Sequence, residues 1–549
     1  MERRRRDVWF YIGLAILIIY IFFLLYPICN LLIKSLYDGE TGNFTWANFQ
    51  KFFSKKYYYG SITNSLNITF WVTVFSVLVA TPLAYLTNTV KIKFRSAIEV
   101  LILITSVSPP FIGAYSWILL LGRNGAITNM FKDNFNIATP DIYGFTGIVL
   151  VLTLQLVPLV YIYISGALKN VDVSIVEAAE SLGCTGINKV LKIILPVIVP
   201  TILAASLLVF MRALADFGTP MLIGEGYRTV PVLIYNEFMG EMGGDTGFAA
   251  AISIMIVFFA TLIFFVQQYI SSKKSFAMST LNPMKPKPEK GIYNMVAHLV
   301  VYVYVVIALA PQLYVIYTSF LKVNGRLFVP GYSLESYAIA FSKVGGAIVN
   351  TIVLGLISLV LIIIFSILVA YITVRRRGVL ASSLDVTTMF PYIVPGSVMG
   401  IALLLTFSDR PFLISGTAFI MILAFTIRRL AYTVRSSSAI LSQINISTED
   451  AGISLGASQL KTFFVITLPS MLPGIVSGAI LSWINILTEL ATSILLYVAS
   501  TRTVTVAIYT EVVRGNYGTA AALSTILTVI TIISLAVFFK LSDNRELSI

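Results

Sequence analysis

Charge and thiol chemistry are what this sequence has least of. Of its 549 residues only 11% are charged, and there are two cysteines and one histidine. A soluble domain carries about 25% charged residues. The polar surface needed to cover a soluble globule of this size is therefore missing, which excludes a disordered chain and an ordinary cytosolic enzyme. Cys29 lies in the first apolar run and Cys184 in a polar connection well away from it, so neither a disulfide nor a secreted disulfide scaffold is expected. His298 stands alone at the start of another apolar run and reads as an interfacial residue, since one histidine makes no metal site. No metal site and no cofactor are expected in this chain. What is abundant is apolar: 57% of residues are hydrophobic and the mean hydropathy is +0.89. The composition is that of an all-α polytopic membrane protein.

A spanning helix needs about 20 mostly apolar residues. Such runs lie near 10–33, 64–88, 97–121, 146–168, 191–214 and 247–270, and again near 292–319, 350–373, 386–406, 413–434, 464–488 and 519–539, giving about twelve. The first run is too long for a removed signal peptide and lacks its small-residue cleavage site, so it is expected to stay as an anchor. The net charge of +13 is concentrated in alternate connections, among them Arg3–Arg6, Lys91, Lys93, Lys189, Lys192, Lys273, Lys274 and Arg375–Arg377. The positive-inside rule then places both termini in the cytoplasm. The basic excess reads as a topology signal, and no nucleic-acid partner is expected.

The chain repeats itself. Asn64 matches Asn350, Ala84-Tyr85 matches Ala370-Tyr371 and Pro109 matches Pro395, all at an offset of 286. Gly183 matches Gly456 and Leu195-Pro196 matches Leu468-Pro469 at an offset of 273. Arg228-Thr-Val matches Arg502-Thr-Val, and Ile234-Tyr235 matches Ile508-Tyr509. Each copy has six spans, an even number, so the two are parallel repeats. The expected organisation is a first repeat over 1–270, a linker over 271–291 and a second repeat over 292–549. The linker holds Lys273, Lys274, Pro283, Lys285, Pro286, Lys287, Pro288 and Lys290, and proline with like charge disfavours a packed element there.

Two inside connections are alike. The first reads Glu177-Ala178-Ala179-Glu-Ser-Leu-Gly183, nine residues, then Ile193-Ile-Leu195-Pro196. The second reads Asp450-Ala451-Gly-Ile-Ser-Leu-Gly456, nine residues, then Ile466-Thr-Leu468-Pro469. Asp172, Glu177 and Glu180 put negative charge near a helix N-terminus, where the dipole favours it. Ala178, Ala179 and Leu182 make a small apolar face, Gly183 allows a sharp turn, and Pro196 is expected to kink the following helix. A short helix lying across the cytoplasmic end of a bundle is a surface that a soluble partner can grip.

This pattern resembles the signature of permease subunits of binding-protein-dependent ABC importers. The first copy matches it throughout. The second departs with Asp450 and Gly452, although Glu449 lies beside them. The resemblance covers nearly the whole chain, with the transmembrane core at about 60–270 and about 346–540, and implies a type I importer-like fold of two parallel six-helix repeats. It looks like the fused, double-length permeases of the ferric iron class, with sulfate, polyamine, thiamine and phosphonate permeases as near relatives. The stretches leaning toward iron are Ala213-Leu-Ala-Asp-Phe-Gly-Thr-Pro220 and Glu489-Leu-Ala-Thr-Ser-Ile-Leu-Leu-Tyr497. The resemblance implies that the two loops couple to ABC ATPase subunits, two copies, and that a periplasmic or lipid-anchored binding protein delivers the cargo at a bacterial cytoplasmic membrane. No Gly-x-x-x-x-Gly-Lys-Ser/Thr phosphate loop occurs in the chain, so ATP hydrolysis is expected in a separate subunit. A secondary transporter also has two parallel six-span repeats, but the loops after the second and eighth spans, Lys91-Ile-Lys-Phe-Arg95 and Arg375-Arg-Arg-Gly378, do not carry the motif usual there.

Asp216 and Glu489 are repeat mates where the fifth span of each copy meets its outside loop. Two readings are open for them. Rim carboxylates mark ion paths and hard oxygen suits a hard cation; equally, such a carboxylate caps loop backbone. Arg212 lies one turn before Asp216, so an ion pair within the helix fits the second reading. Arg428 and Arg429, within the tenth run, are expected to snorkel toward the cytoplasmic side.

Overall fold

The computed structural model describes residues 8–37, 42–107, 110–137, 139, 141–240, 245–272, 284, 286–288, 290–376 and 378–541. Pro109, Arg3–Arg6, Arg377 and, in the linker, Lys273, Lys274, Pro283 and Lys285 lie outside them. The first half runs α1 (Val8–Ser35), α2 (Lys56–Thr89), α3 (Arg95–Val107), α4 (Pro110–Leu121), α5 (Phe145–Lys169), α6 (Val173–Ser181), α7 (Gly186–Leu214), α8 (Gly218–Ile223), α9 (Val230–Met239) and α10 (Thr246–Ser272). The second runs α11 (Ile292–Ser319), strands β1 (Leu321–Asn324) and β2 (Leu327–Tyr332), α12 (Glu335–Arg375), α13 (Val379–Ile393), α14 (Gly396–Thr406), α15 (Ala418–Gln443), α16 (Ser447–Ser454), α17 (Gln459–Leu487), α18 (Ser493–Leu496), α19 (Val504–Arg514) and α20 (Tyr517–Leu541).

Among the described residues nine helices are long and apolar enough to cross a membrane, and α13 with α14 makes a tenth candidate, bent by 109°. The other two expected runs are built differently. Residues 97–121 are divided between α3 and α4, and all but the first five residues of 413–434 fall on α15, whose apolar sequence is interrupted by Arg428, Arg429 and Arg435. The one β-sheet among the described residues is the antiparallel pair β1–β2, turned at Gly325, whose φ of +63° suits a tight hairpin.

The chain forms two compact units, and neither coincides with a sequence repeat. One comprises Met1–Lys51, Ile234–Ile254 and Thr318–Ile549. Within it α1 packs on α12, α13 and α14. Trp9 sets its ring 4.3 Å from that of Tyr371 and 4.7 Å from that of Phe463, and Asn30 donates to Thr406 Oγ1 at 2.9 Å. Helices α15 and α17 approach closely because Gly474 and Gly478 leave room: a Cβ at Gly478 would lie 2.5 Å from Thr433 Cα.

The other unit comprises Phe52–Leu233 and Met255–Tyr317. Its core gathers Val72 and Leu83 of α2, Val157 and Ile164 of α5, and Val209 of α7, together with Ala297 and Val301 of α11. Each unit thus contains the opening helix of the other half. His298 on α11 is a satisfied backbone cap. Its Nδ1 donates to Asn294 O at 2.8 Å and its Nε2 accepts from the Lys93 N–H at 3.2 Å.

The repeat reaches the level of single hydrogen bonds. Asn64 Nδ2 donates to Arg228 O at 3.0 Å, and Asn350 Nδ2 to Arg502 O at 3.1 Å. Ser65 Oγ accepts from Val230 N at 2.9 Å, and Thr351 Oγ1 from Val504 N at 2.8 Å. In each half these bonds satisfy backbone groups at the start of a short helix, α9 or α19, that would otherwise be orphaned.

Candidate functional site

The first loop helix, α6, is set by its ends. Asp172 Oδ1 accepts from Ser174 N at 2.9 Å and from Ser174 Oγ at 2.6 Å, capping the first turn. At the other end Gly183 takes φ +82°, and Cys184 N–H reaches back to Ala179 O at 2.9 Å. Val176 and Ala179 are buried, three residues apart on one face, while Glu177 and Ala178 are exposed. Glu180 falls in the last turn, where the dipole disfavours it, and not near the N-terminus. Lys189 Nζ bonds its Oε1 at 2.5 Å and holds its carboxyl below the ordinary value.

The second loop helix, α16, repeats the shape with a different interior. Asn445 Oδ1 accepts from Ser447 N at 3.1 Å, Gly456 takes φ +87°, and Ala457 N–H reaches back to Gly452 O at 3.2 Å. Asp450 and Ala451 are exposed like their mates Glu177 and Ala178. Glu449, however, does not stand in for the missing outward glutamate. It occupies the position of Val176 and points inward, where Arg375 Nε donates to Oε1 at 2.7 Å and Tyr371 Oη to Oε2 at 3.2 Å. Arg375 also donates to Ile444 O at 2.9 Å, tying α12 to the entry of the loop. Gly452 has a steric cause: a Cβ there would lie 2.7 Å from Ile466 Cδ1.

Ile193, Leu195 and Pro196, with Ile466, Leu468 and Pro469, form the start of the following helices. There is no break at either proline. A π-turn, Val190–Ile194 or Phe463–Thr467, precedes each one, widening the helix where the ring removes an N–H donor. The same device precedes Pro27 in α1, at Ile21–Leu25.

Leu182, expected on a small apolar face with Ala178 and Ala179, and its mate Leu455 are the most exposed apolar residues of these loops. Leu182 is 88% exposed and its mate Leu455 is 90% exposed. Both stand immediately before the left-handed glycine, which throws the side chain off the helix. The signal was present as the identical tripeptides Ser181-Leu182-Gly183 and Ser454-Leu455-Gly456. Each loop thus holds one leucine almost fully in solvent, at the same place in both halves.

At the opposite end of the fifth spans, at the turn that forms the neck of each half, stand Asp216 and Glu489. Asp216 Oδ1 accepts from Thr219 N at 2.9 Å, and Glu489 Oε1 from Thr492 N at 3.1 Å, so both carboxylates cap the turn that follows. Among the described residues Asp216 forms no ion pair with Arg212. Glu489 does pair, with Arg428 Nη1 at 2.5 Å and with Arg429 Nη2, and its side chain is 3% exposed. Arg428 and Arg429 therefore do not snorkel. They lie near the middle of α15, about 15 Å from its first residue, and turn inward.

The family described as "Binding-protein-dependent transport system inner membrane component" matches residues 73–276 and 362–546. The chain is 30% identical over 546 residues to a ferric transport system permease protein, FbpB, of Actinobacillus pleuropneumoniae, covering 97% of this chain and 78% of that one. It is 29% identical over 501 residues to a putative ferric transport system permease of Haemophilus influenzae, covering 89% and 78%. A spermidine/putrescine permease, PotB, of the same organism is 27% identical over 255 residues, 45% of this chain and 88% of that one. The two matched segments each contain one of the glycine-turned loop helices, and the chain belongs to the inner membrane components of binding-protein-dependent transport systems.

Proposed function

We propose that this chain is the membrane pathway through which an ATP-driven importer carries ferric iron into the cytoplasm. The observation that supports this reading most is the pair of loop helices, alike in cap, glycine turn and projecting leucine, each rooted in the helix that leads to a neck carboxylate. Two ATPase subunits would receive Leu182 and Leu455, with Glu177, Ala178, Gly183, Asp450, Ala451 and Gly456 forming the rim of each contact. Hydrolysis belongs to those subunits and not to this chain. Both termini lie in the cytoplasm in this reading, and a binding protein delivers the ion at the opposite face.

The motion is alternating access. When the ATPase subunits close, α6 and α16 move with them, and the rigid continuation of each loop through its π-turn into α7 and α17 passes that motion to the necks. Asp216, which has no cationic partner within the chain among the described residues, is the carboxylate available to a passing cation. Glu489 is occupied by two guanidinium groups, which favours a holding role. Iron as the cargo is supported by near full-length similarity to two ferric permeases.

The test is uptake of radiolabelled ferric iron into vesicles containing this chain, an ATPase and a binding protein, with sulfate, thiamine, polyamine and phosphonate in parallel. Iron uptake that needs all three components and ATP is the expected result. Uptake of another solute alone would replace the cargo. Uptake driven by a proton gradient without ATP would overturn the importer reading.

A further inference from the structure

The neck of the second half carries more positive charge than it neutralises. Glu489 is the one carboxylate among the described residues that pairs with Arg428 and Arg429, so two guanidinium groups share a single negative charge. The groups are buried: the side chains of Arg428, Arg429 and Glu489 are 11%, 14% and 3% exposed. The cluster is also clamped. Thr492 Oγ1 accepts from Arg428 Nη1 at 2.8 Å and donates to Gly396 O at 3.1 Å. Gly396 follows the 109° bend between α13 and α14, and a Cβ on it would lie 2.7 Å from Arg428 Nη1.

Several donors on these residues and on their immediate chain neighbours are unused. The Nε–H groups of Arg428 and Arg429 are buried without a partner, and so are the hydroxyls of Ser397 and Ser493, the residues after Gly396 and Thr492. Both serines are almost wholly buried. An unpaired charge removed from water is unfavourable, and so is each buried hydrogen-bonding group left unpaired. The first half has no such surplus. There the mate of Arg428 is Gln155, a neutral side chain, and the mate of Glu489 is Asp216.

We propose that the second neck binds one small inorganic oxyanion. A single negative charge balances Arg428, Arg429 and Glu489, and guanidinium N–H donors match the geometry of oxyanion acceptors. The serine hydroxyls supply further donors at the bend and at the start of α18. The anion is a resident counter-ion of the neck, not cargo, and the proposal stands on this cluster whatever the cargo is.

The experiment is equilibrium dialysis of radiolabelled inorganic phosphate against the full chain in lipid nanodiscs, with chloride holding ionic strength constant. Wild type should bind phosphate saturably at about one per chain. Arg429→Gln leaves a neutral Arg428–Glu489 pair and should weaken binding at least tenfold. Ser397→Ala with Ser493→Ala, which leaves every charge in place, should weaken it severalfold. Absence of saturable binding to wild type, or equal binding to Arg429→Gln, overturns the site. ATP-dependent accumulation of the same phosphate in vesicles would overturn the resident role by making it cargo.

Discussion

The two halves share a backbone and differ in where they bury charge. In the first, the interior of the loop helix is Val176 and the neck holds Asp216 with Gln155 at the position of Arg428. In the second, the corresponding positions are Glu449 with Arg375, and Glu489 with Arg428 and Arg429. The hydrogen bonds that shape the chain are common to both: the asparagine clamps at Asn64 and Asn350, the caps by Asp216 and Glu489, and the glycine turns at Gly183 and Gly456. Shape is common to the copies through backbone satisfaction, while the buried ion pairs at Glu449 and Glu489 have no counterpart at the matching first-half positions. At these positions the first half relies on apolar contact and a lone capping carboxylate and the second on buried ion pairs, which respond differently to mutation.

The largest difference is expected at the loop interiors. Arg375→Ala strands the Glu449 carboxylate in a buried site, and breaking such a pair costs about 3–5 kcal/mol. The variant should lose most of its protein from the membrane, or unfold at a clearly lower temperature. Val176→Ala, at the matching first-half position, should cost only about 1–2 kcal/mol. Replacing Arg375 by Met together with Glu449 by Val gives the second loop the interior of the first and should be near neutral. If Arg375→Ala proves as mild as Val176→Ala, the two interiors are not held in different ways.

The projecting leucines should behave alike. Leu182→Asp and Leu455→Asp each remove an apolar knob whose burial is worth about 1.5–3 kcal/mol, so each should weaken ATPase binding at least tenfold without lowering permease levels. Unequal effects, measured as the affinity of the ATPase for each variant, would mean that the two loops are not used equally. Gly183→Val and Gly456→Val act through the backbone. A branched side chain at positive φ costs about 1–2 kcal/mol and turns the knob away, so the double variant should remain in the membrane and fail in uptake.

Much of this was legible in the sequence. The runs of apolar residues, the repeat offsets and the Gly-to-Pro spacing are local patterns, and they anticipate ten of the candidate spans, the two loop helices and the positions of Gly183 and Gly456. What was not legible depends on register or on distance. Glu449 and Asp450 are adjacent acids, and only the helix turn decides which of them faces Arg375. Arg428 and Arg429 look like snorkelling residues until Glu489, about sixty positions later, is brought against them. The packing of α1 on α12, α13 and α14 leaves no trace in a repeat pattern, because the repeat shows which segments are alike and not which of them touch. Gly452 reads as a departure from the loop pattern, and its cause, the Ile466 side chain above it, exists only in three dimensions.

The smallest expected effect concerns the one ion pair of the first loop. Glu180 and Lys189 bridge α6 to the start of α7, and their second-half mates, Ile453 and Thr462, cannot form a bridge. The pair is partly exposed at the surface, so its worth is about 0–1 kcal/mol and falls as salt is added. Lys189 lowers the Glu180 carboxyl, so the folded loop binds this proton less readily than the unfolded chain does. Its stabilisation is therefore fully present above the ordinary carboxylate range and is lost as pH falls through the lowered value. Amide hydrogen exchange over α6 should quicken modestly in Glu180→Gln, and high salt should bring wild type to the same rate. Exchange over α16 should not change with that substitution. An α6 that exchanges identically in wild type and Glu180→Gln at low salt would show that the cap at Asp172 and the turn at Gly183 hold this helix unaided, leaving the first loop with no charge pair that contributes to its stability.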